Sequence, residues 1–139
     1  MDFDTVAPEV FGASLRGIGL NILTRDVRGL SAALQTVFGM EAHRVTADFA
    51  ILRYGTDLFQ IHSDGTYARN PLLGLLPENP PRGAGIEIRL YDTDPDDACA
   101  KAAAAGFTIL QEPADKPHRL RECYLLCPDG YAWVPSRPL

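Results

Sequence analysis

The sequence is poor in cysteine, and its few cysteines argue against two kinds of site. Only three occur among 139 residues, at Cys99, Cys123 and Cys127. An odd number cannot pair completely into disulfides, and their spacing is not the paired spacing of zinc sites. We therefore expect free, buried thiols in a reducing cytoplasm and no catalytic cysteine.

Positive charge is also scarce. The chain carries 13 Lys and Arg against 18 Asp and Glu, a net charge of -5, and it has no basic stripe that would bind a phosphate backbone. No apolar run is long enough to cross a bilayer, and residues 1–11 lack the apolar segment of a signal peptide. We expect a cytoplasmic protein with no nucleic-acid or membrane partner and a modest preference for a neutral or cationic small ligand.

The common catalytic motifs are missing as well. No glycine-rich loop follows a strand and opens a helix, as phosphate binding requires. No serine, cysteine or lysine lies beside an evident general base, so the sequence shows no apparatus for nucleophilic catalysis.

What the chain does contain is one pattern repeated in its two halves. In each half an extended apolar run is followed by an aspartate, a helix-forming segment and a glycine. These are Asp26 and Gly39 in the first half, and Asp94 and Gly106 in the second. Aspartate suits the N-cap of a helix and glycine its C-cap. The repeat indicates two equivalent modules, with the function in a pocket that they share.

Each copy is predicted to be a βαβββ module. The strands are expected at 18–23, 41–45, 49–54 and 58–62, and at 85–91, 107–111, 122–126 and 131–135, with helices at 28–38 and 95–105. The breaker-rich stretch between the copies predicts a loop or crossover. The leucines of 72–76 must be covered there, either by a short helical turn packed on the body or by a subunit interface. The whole is one domain, 1–139, with a loose leader over 1–16, modules 17–63 and 85–136, and a joining loop 64–84.

Alternation along the strands separates a buried face from a polar one. Leu20, Ile22, Phe59 and Ile61 are expected under the helices of the first module, and Ile86, Ile88 and Leu90 under those of the second. The opposite face then carries Asn21, Gln60, His62, Glu87 and Arg89. This polar face either lines a pocket or meets solvent, and Glu87 either binds a ligand or pairs with Arg89 or Arg53.

These features carry a family resemblance. The two modules, together with the terminal run Pro128-Asp129-Gly130-Tyr131-Ala132-Trp133, resemble the vicinal oxygen chelate superfamily of glyoxalase I, extradiol dioxygenases and bleomycin-resistance proteins. The resemblance implies an α+β fold in which two βαβββ modules form a U-shaped mixed sheet around a cleft, with the helices outside. In the metal-dependent members, ligands stand on the first and last strand of each module.

The metal positions are only half filled in this chain. By resemblance they fall on Gly19, Gln60, Glu87 and Val134, and glycine and valine have no side-chain donor. We therefore expect no cofactor. The alternative is a rearranged His62, Glu87 and Gln60 site holding zinc, iron, manganese or nickel, in a metal-dependent lyase, isomerase or extradiol-type dioxygenase.

The loss of metal-ligand positions resembles the bleomycin-resistance branch, whose members bind a ligand without a metal, and the stretch 116–124 also resembles a segment found there. That resemblance implies a homodimer that sequesters a small organic ligand in a cleft, and it leaves open whether any reaction is catalysed. A pure interaction module docking through the leucines of 72–76 is a third possibility. The candidate ligand-binding residues are Asn21, Gln60, His62, Glu87, Arg89, His118, Arg121 and Tyr124.

Overall fold

The computed structural model describes residues 1–83 and 85–139.

Local sequence signals set the limits of the longest helix, Val27–Phe38. At the start of this helix, the Asp26 carboxylate accepts a hydrogen bond from the Gly29 nitrogen at 2.9 Å. At its end, Gly39 has a φ of 70°, a left-handed conformation that a residue without a Cβ adopts at least cost. Both predicted caps are confirmed.

Helices and strands follow one another as two βαβββ repeats after an additional N-terminal helix. The helices are α1 (Pro8–Ser14), α2 (Val27–Phe38) and α3 (Pro95–Ala102). The strands are β1 (Asn21–Thr24), β2 (Glu41–His43), β3 (Phe49–Tyr54), β4 (Asp57–Ser63), β5 (Gly83–Leu90), β6 (Thr108–Asp115), β7 (Leu120–Leu126) and β8 (Tyr131–Pro138). Short 3₁₀ helices lie at Asp64–Tyr67, Leu73–Leu75 and Ala103–Ala105. No helix of the described residues is both long and apolar enough to cross a membrane.

The described chain divides into two compact units. The first unit comprises residues 1–35 and 39–74, and the second comprises 36–38 and 75–139. The predicted joining loop contains two of the 3₁₀ helices and ends earlier than expected, because β5 already begins at Gly83. Ala84, its last predicted residue, lies outside the described residues.

The first unit is built on a mixed four-stranded sheet in the order β1-β4-β3-β2. β1 and β4 are parallel, with Asn21 opposite Gln60 and Ile22 opposite Ile61, and the remaining pairs are antiparallel. Ile22 and Ile61 are buried, together with Leu34 of α2. The apolar face predicted from alternation therefore forms the core of this unit.

The second unit repeats this sheet order as β5-β8-β7-β6. β5 and β8 are parallel, with Arg89 opposite Val134. α3 packs on β6, β7 and β8. Asp94 caps this helix by accepting a hydrogen bond from the Asp96 nitrogen at 3.0 Å, and Gly106, with a φ of 84°, follows the 3₁₀ turn that ends it. Both βαβββ modules are thus present, and the α+β prediction is confirmed.

The predicted loose leader is wrong, because it contains α1. Pro8 occupies the first turn of this helix, where its missing N–H costs no hydrogen bond. Phe11 is 7% exposed, and its ring meets the edge of Phe3 at 6.1 Å between centroids. The buried ring of Phe11 helps to anchor a segment whose composition is otherwise typical of a loop.

Two residues predicted to face inward are exposed. Leu20 is 37% exposed because the β1 ladder begins only at Asn21. Ile86 is 68% exposed, and the register of β5 against β8 shifts between Gly83 and Glu87. A β-bulge or similar irregularity changes the direction in which neighbouring side chains point. A prediction from strict alternation does not include that change.

Candidate functional site

Arg89 joins the polar residues on one face of the second sheet. Because Glu87 and Arg89 are two residues apart on β5, their side chains share a face, and Arg89 Nη1 lies 3.2 Å from Glu87 Oε2. Arg89 Nη2 donates to Oε2 of Glu122 on β7, across the intervening strand β8. Of the two pairings considered for Glu87, the structure shows the one with Arg89, while Arg53 pairs with Glu41.

Glu122 is the most deeply buried charged group of this cluster, with a side chain only 3% exposed. His118 Nε2 approaches its Oε2 at 3.2 Å. Burial alone would raise the pKa of Glu122, but hydrogen bonds from Arg89 and His118 outweigh it, so the pKa lies below its ordinary value. A buried carboxylate with two cationic or donor partners keeps its negative charge at neutral pH.

Tyr124 completes the cluster. Hydrogen bonding to the Glu87 carboxylate, with some burial, raises the pKa of the Tyr124 phenol, and its hydroxyl also bonds Arg89. The Arg89 guanidinium lies 5.7 Å from the ring centroid of Tyr91. Although burial alone would lower the pKa of Arg89, its bonds to Glu122 and Glu87 raise it. The guanidinium is therefore a fixed cation held by two carboxylates near the ring of Tyr91.

A cavity of about 750 Å³ opens on this cluster. Glu87, Arg89 and Tyr124 supply its polar groups. Its apolar walls include Ile86, Leu110, Leu126 and Ala132. An apolar hollow with a few converging polar side chains is the usual form of a small-ligand site.

Arg121 does not join this cluster. It is next to Glu122 on β7, so its side chain points to the other face of the sheet. There its Nε lies 2.7 Å from Asp96 Oδ2, and its Nη1 lies 3.0 Å from Asp115 Oδ1. The structure therefore brings Glu87, Arg89, His118 and Tyr124 together and places Arg121 apart from them.

The polar face of the first sheet has a different chemistry. His62 Nε2 lies 3.1 Å from Gln60 Oε1, and the Asn21 amide reaches the Tyr67 hydroxyl at 3.4 Å. The His62 ring also meets Phe49 and Tyr67 edge-on, at 5.1 and 5.3 Å between centroids. Burial lowers the pKa of His62, which favours the neutral imidazole. The three predicted residues of this unit do lie together, in a neutral and aromatic setting.

Comparison with solved structures identifies the architecture. A glyoxalase/bleomycin resistance protein/dioxygenase family enzyme from Burkholderia phytofirmans PsJN aligns with a TM-score of 0.73 at 22% identity, over 87% of this chain and 97% of that one. The vicinal oxygen chelate fold is therefore the fold of this chain. A glyoxalase/bleomycin resistance protein from Albidiferax ferrireducens T118 aligns at 0.64 and 19% identity, over 87% and 97% of the two chains.

TioX from Micromonospora sp. ML1 has the same fold, with a TM-score of 0.62 at 20% identity over 89% of this chain and 99% of that one. No family model and no curated protein matches the chain in sequence. At these identities the likeness establishes the vicinal oxygen chelate fold and leaves the chemistry to be argued from the residues.

The donor set of this chain does not fit the metal site of vicinal oxygen chelate proteins. Gly19 has no side chain to offer, and Val134, directly opposite Arg89, is buried and apolar. The Glu87 carboxylate is already bonded to a guanidinium. Across residues 1–83 and 85–139, no three His, Cys, Asp or Glu side chains form a group that could hold a metal ion.

Sequence reasoning missed two residues that organise these faces, Glu122 and Tyr67. A glutamate in a strand is usually expected to be exposed. Only its alternation with the buried Cys123 and Leu125 indicates that Glu122 shares a face with Tyr124. Tyr67 lies on a 3₁₀ turn of the predicted loop, where no periodicity points to its partners.

All three cysteines are free and buried, as predicted. Burial raises the pKa of the Cys123 thiol to about 12 and also raises those of Cys99 and Cys127. Burial therefore favours the protonated thiol at all three positions.

Proposed function

We propose that the chain binds a small organic molecule on the polar face of the second unit, without a metal ion. The cavity of about 750 Å³, in which Glu87, Arg89 and Tyr124 converge between apolar walls, is the observation that supports this most directly. Preorganised polar groups set the orientation of a ligand, and apolar walls supply area for binding.

The polar groups divide into those that touch the ligand and those that position them. Glu87 has a side chain 43% exposed, so it can accept hydrogen bonds from a ligand, and Tyr124 beside it can donate. Glu122 and His118 position the guanidinium of Arg89. A ligand with both donor and acceptor groups suits this arrangement, because each charge on the protein already has a partner.

A homodimer in the cytoplasm belongs to the same proposal. The exposed Leu72 and Leu75, at 44% and 81%, are apolar surface that a second copy would cover. Three free, buried thiols suit a reducing compartment. Sedimentation equilibrium should give a dimer that survives dilution, and cell fractionation should place the chain in the cytoplasm. A monomer at all concentrations would contradict the first expectation, and recovery from an oxidising compartment the second.

A thermal-shift screen of small organic compounds on protein treated with EDTA tests the binding proposal. A compound at a hundredfold excess over its Kd should stabilise the protein by about 2.7 kcal/mol, a readily measured rise in melting temperature. Glu87→Gln should abolish the rise. Glu41→Gln is the matched control, because Glu41 is also paired with an arginine, Arg53 at 2.6 Å, but on the first unit.

Two outcomes would contradict this proposal. If compounds stabilise the protein only after zinc, iron, manganese or nickel is added, the metal-dependent lyase, isomerase or dioxygenase is the better account. If Glu87→Gln and Glu41→Gln show the same rise in melting temperature with the compound, the ligand does not lie on the face that carries Glu87.

A further inference from the structure

Two of the three cysteines lie side by side where α3 packs on the second sheet. Cys99 belongs to this helix, and Cys123 belongs to β7, which the helix contacts. Their thiols are in hydrogen-bonding contact with each other. Because side chains alternate along a strand, Cys123 points away from the face that carries Glu122 and Tyr124. The cysteine pair therefore lies outside the proposed ligand cavity.

The two thiols differ in their access to solvent. Cys99 is 9% exposed, and its thiol donates a hydrogen bond to Glu112 Oε2 at 3.4 Å. Glu112 is an exposed residue of the edge strand β6. Cys123 is fully buried, and its Sγ lies 3.6 Å from the carbonyl oxygen of Pro95. A reagent that arrives from solvent therefore meets Cys99 first, with Cys123 directly behind it.

This arrangement supplies what the oxidation of two thiols to a disulfide requires. The carboxylate of Glu112 can take the proton of the Cys99 thiol, which leaves a thiolate at the more accessible sulfur. Cys123 already contacts that sulfur, so the bond between them forms in an intramolecular step. Hydrogen peroxide is small and uncharged, and it suits a sulfur with so little exposed surface.

From this geometry we infer that Cys99 and Cys123 are a redox modification site, which a peroxide converts reversibly to a disulfide. The Cys99 thiolate attacks one oxygen of hydrogen peroxide and becomes a sulfenic acid as the O–O bond breaks. The hydroxide that leaves takes the proton held by Glu112 and becomes water. The Cys123 sulfur then attacks the Cys99 sulfur and expels hydroxide, which takes the Cys123 proton and becomes a second water. The two thiols lose two electrons in total, and one peroxide is reduced to two waters.

The surroundings of the pair favour the uncharged disulfide. Burial raises the pKa of both thiols, so the reduced form gains no stability from a thiolate. Strongly oxidising dithiols are different, because their reduced form is stabilised. The same burial slows the first attack, since the thiolate is the nucleophile. The disulfide should therefore form slowly at neutral pH and require a thiol reductant to reverse.

Peroxide oxidation followed by peptide mapping tests this site. After incubation with hydrogen peroxide and quenching with catalase, the protein is unfolded and its remaining thiols are alkylated. The wild-type protein should lose two of its three free thiols. A tryptic digest should contain a cross-link between residues 90–101, which carry Cys99, and residues 122–139, which carry Cys123. Dithiothreitol should restore all three thiols.

Cys127→Ala is the matched control, because Cys127 is also buried but bonds the Trp133 side chain. It should form the same cross-link as the wild-type protein, whereas Cys123→Ala and Cys99→Ala should not form it. Alanine is the best helix former, so Cys99→Ala should keep the melting temperature of the reduced protein. Glu112→Gln should slow the cross-linking at least about tenfold without lowering its final yield, because the base is lost.

Three results would overturn the inference. The wild-type protein could keep all three thiols, the cross-link could join Cys123 to Cys127, or Cys127→Ala could abolish the cross-link. Equal rates of cross-linking in wild-type protein and Glu112→Gln would overturn the role of Glu112 as the base.

Discussion

The two polar faces occupy equivalent places in the repeat and are built from different chemistry. Asn21 and Arg89 lie equally far in sequence before the aspartate that caps the following helix, and each stands opposite a residue of the parallel neighbouring strand. On the first unit that neighbour is Gln60, and on the second it is Val134. Around Gln60 and His62, neutral amides and rings contact one another, and the Arg53–Glu41 ion pair lies farther along that sheet; around Arg89, one guanidinium joins two carboxylates.

This contrast shows what a structural repeat conserves. The helix caps and the strand order recur in both units because they depend on the backbone. The side chains on those faces are free to differ, provided that every buried polar group finds a partner. The repeat therefore fixes where a site lies, and the partners of Arg89 and Gln60 decide what it can hold.

Arg89→Met should have the largest effect. Loss of the Arg89 guanidinium leaves the Glu122 carboxylate, which is 3% exposed, with His118 as its remaining partner. We expect the free energy of unfolding to fall by about 3 kcal/mol, because breaking a buried ion pair leaves an uncompensated charge. Urea denaturation at neutral pH measures this.

The double variant Arg89→Met with Glu122→Met should recover most of that loss, since both charges are then gone. Arg121→Met is the matched control and should cost far less, because its partners Asp96 and Asp115 are exposed. If Arg89→Met and Arg121→Met lower the free energy of unfolding equally, burial of Glu122 does not set the cost of losing Arg89.

Acid should weaken the second unit through the same carboxylate. The folded-state pKa of Glu122 lies below its ordinary value of 4.5, so its stabilisation is present above pH 4.5 and is lost as the pH falls through the folded pKa. Glu122→Gln should therefore have a flatter dependence of unfolding free energy on pH in that range. An unchanged acid slope in the variant would mean that another carboxylate dominates.

The helix caps should show the two units to be alike. Asp26→Ala and Asp94→Ala each remove a side-chain acceptor from a helix nitrogen and should each cost about 1 kcal/mol in chemical denaturation. Asn in either position should restore most of the loss. A large cost at one cap and none at the other would break the backbone equivalence on which the comparison depends.

The smallest effect should come from His62. Because burial lowers its pKa, its ring protons should titrate below the ordinary value of 6.5 in NMR spectra. The neutral ring stabilises the folded state fully above pH 6.5, and this contribution is lost as the pH falls through the folded pKa. A measured pKa at or above 6.5 would show that His62 is not desolvated in the folded protein.

The fold was predictable because its signals are local. Asp26 and Gly39 carry their own capping chemistry, and alternation around Gln60 needs only the neighbouring residues. The site was predictable in part for the same reason, since Glu87 and Arg89 share a strand.

The remaining features depend on contacts that sequence does not encode locally. Glu122 meets Arg89 across an intervening strand, so their pairing depends on strand order and register. Likewise, α1 is held by Asp4 bonded to Arg44, residues distant in the chain. Ile86 lies beside a register shift between Gly83 and Glu87, which strict alternation does not predict.

Calorimetric titration of EDTA-treated protein with the compound selected by the screen tests the central claim most directly. Tyr124→Phe and Tyr67→Phe make the same change on the second and first faces, where each hydroxyl contacts a polar partner. The account predicts stoichiometric binding without metal, weakened at least about tenfold by Tyr124→Phe and unchanged by Tyr67→Phe. Binding that requires added metal, or that both variants weaken equally, would contradict it.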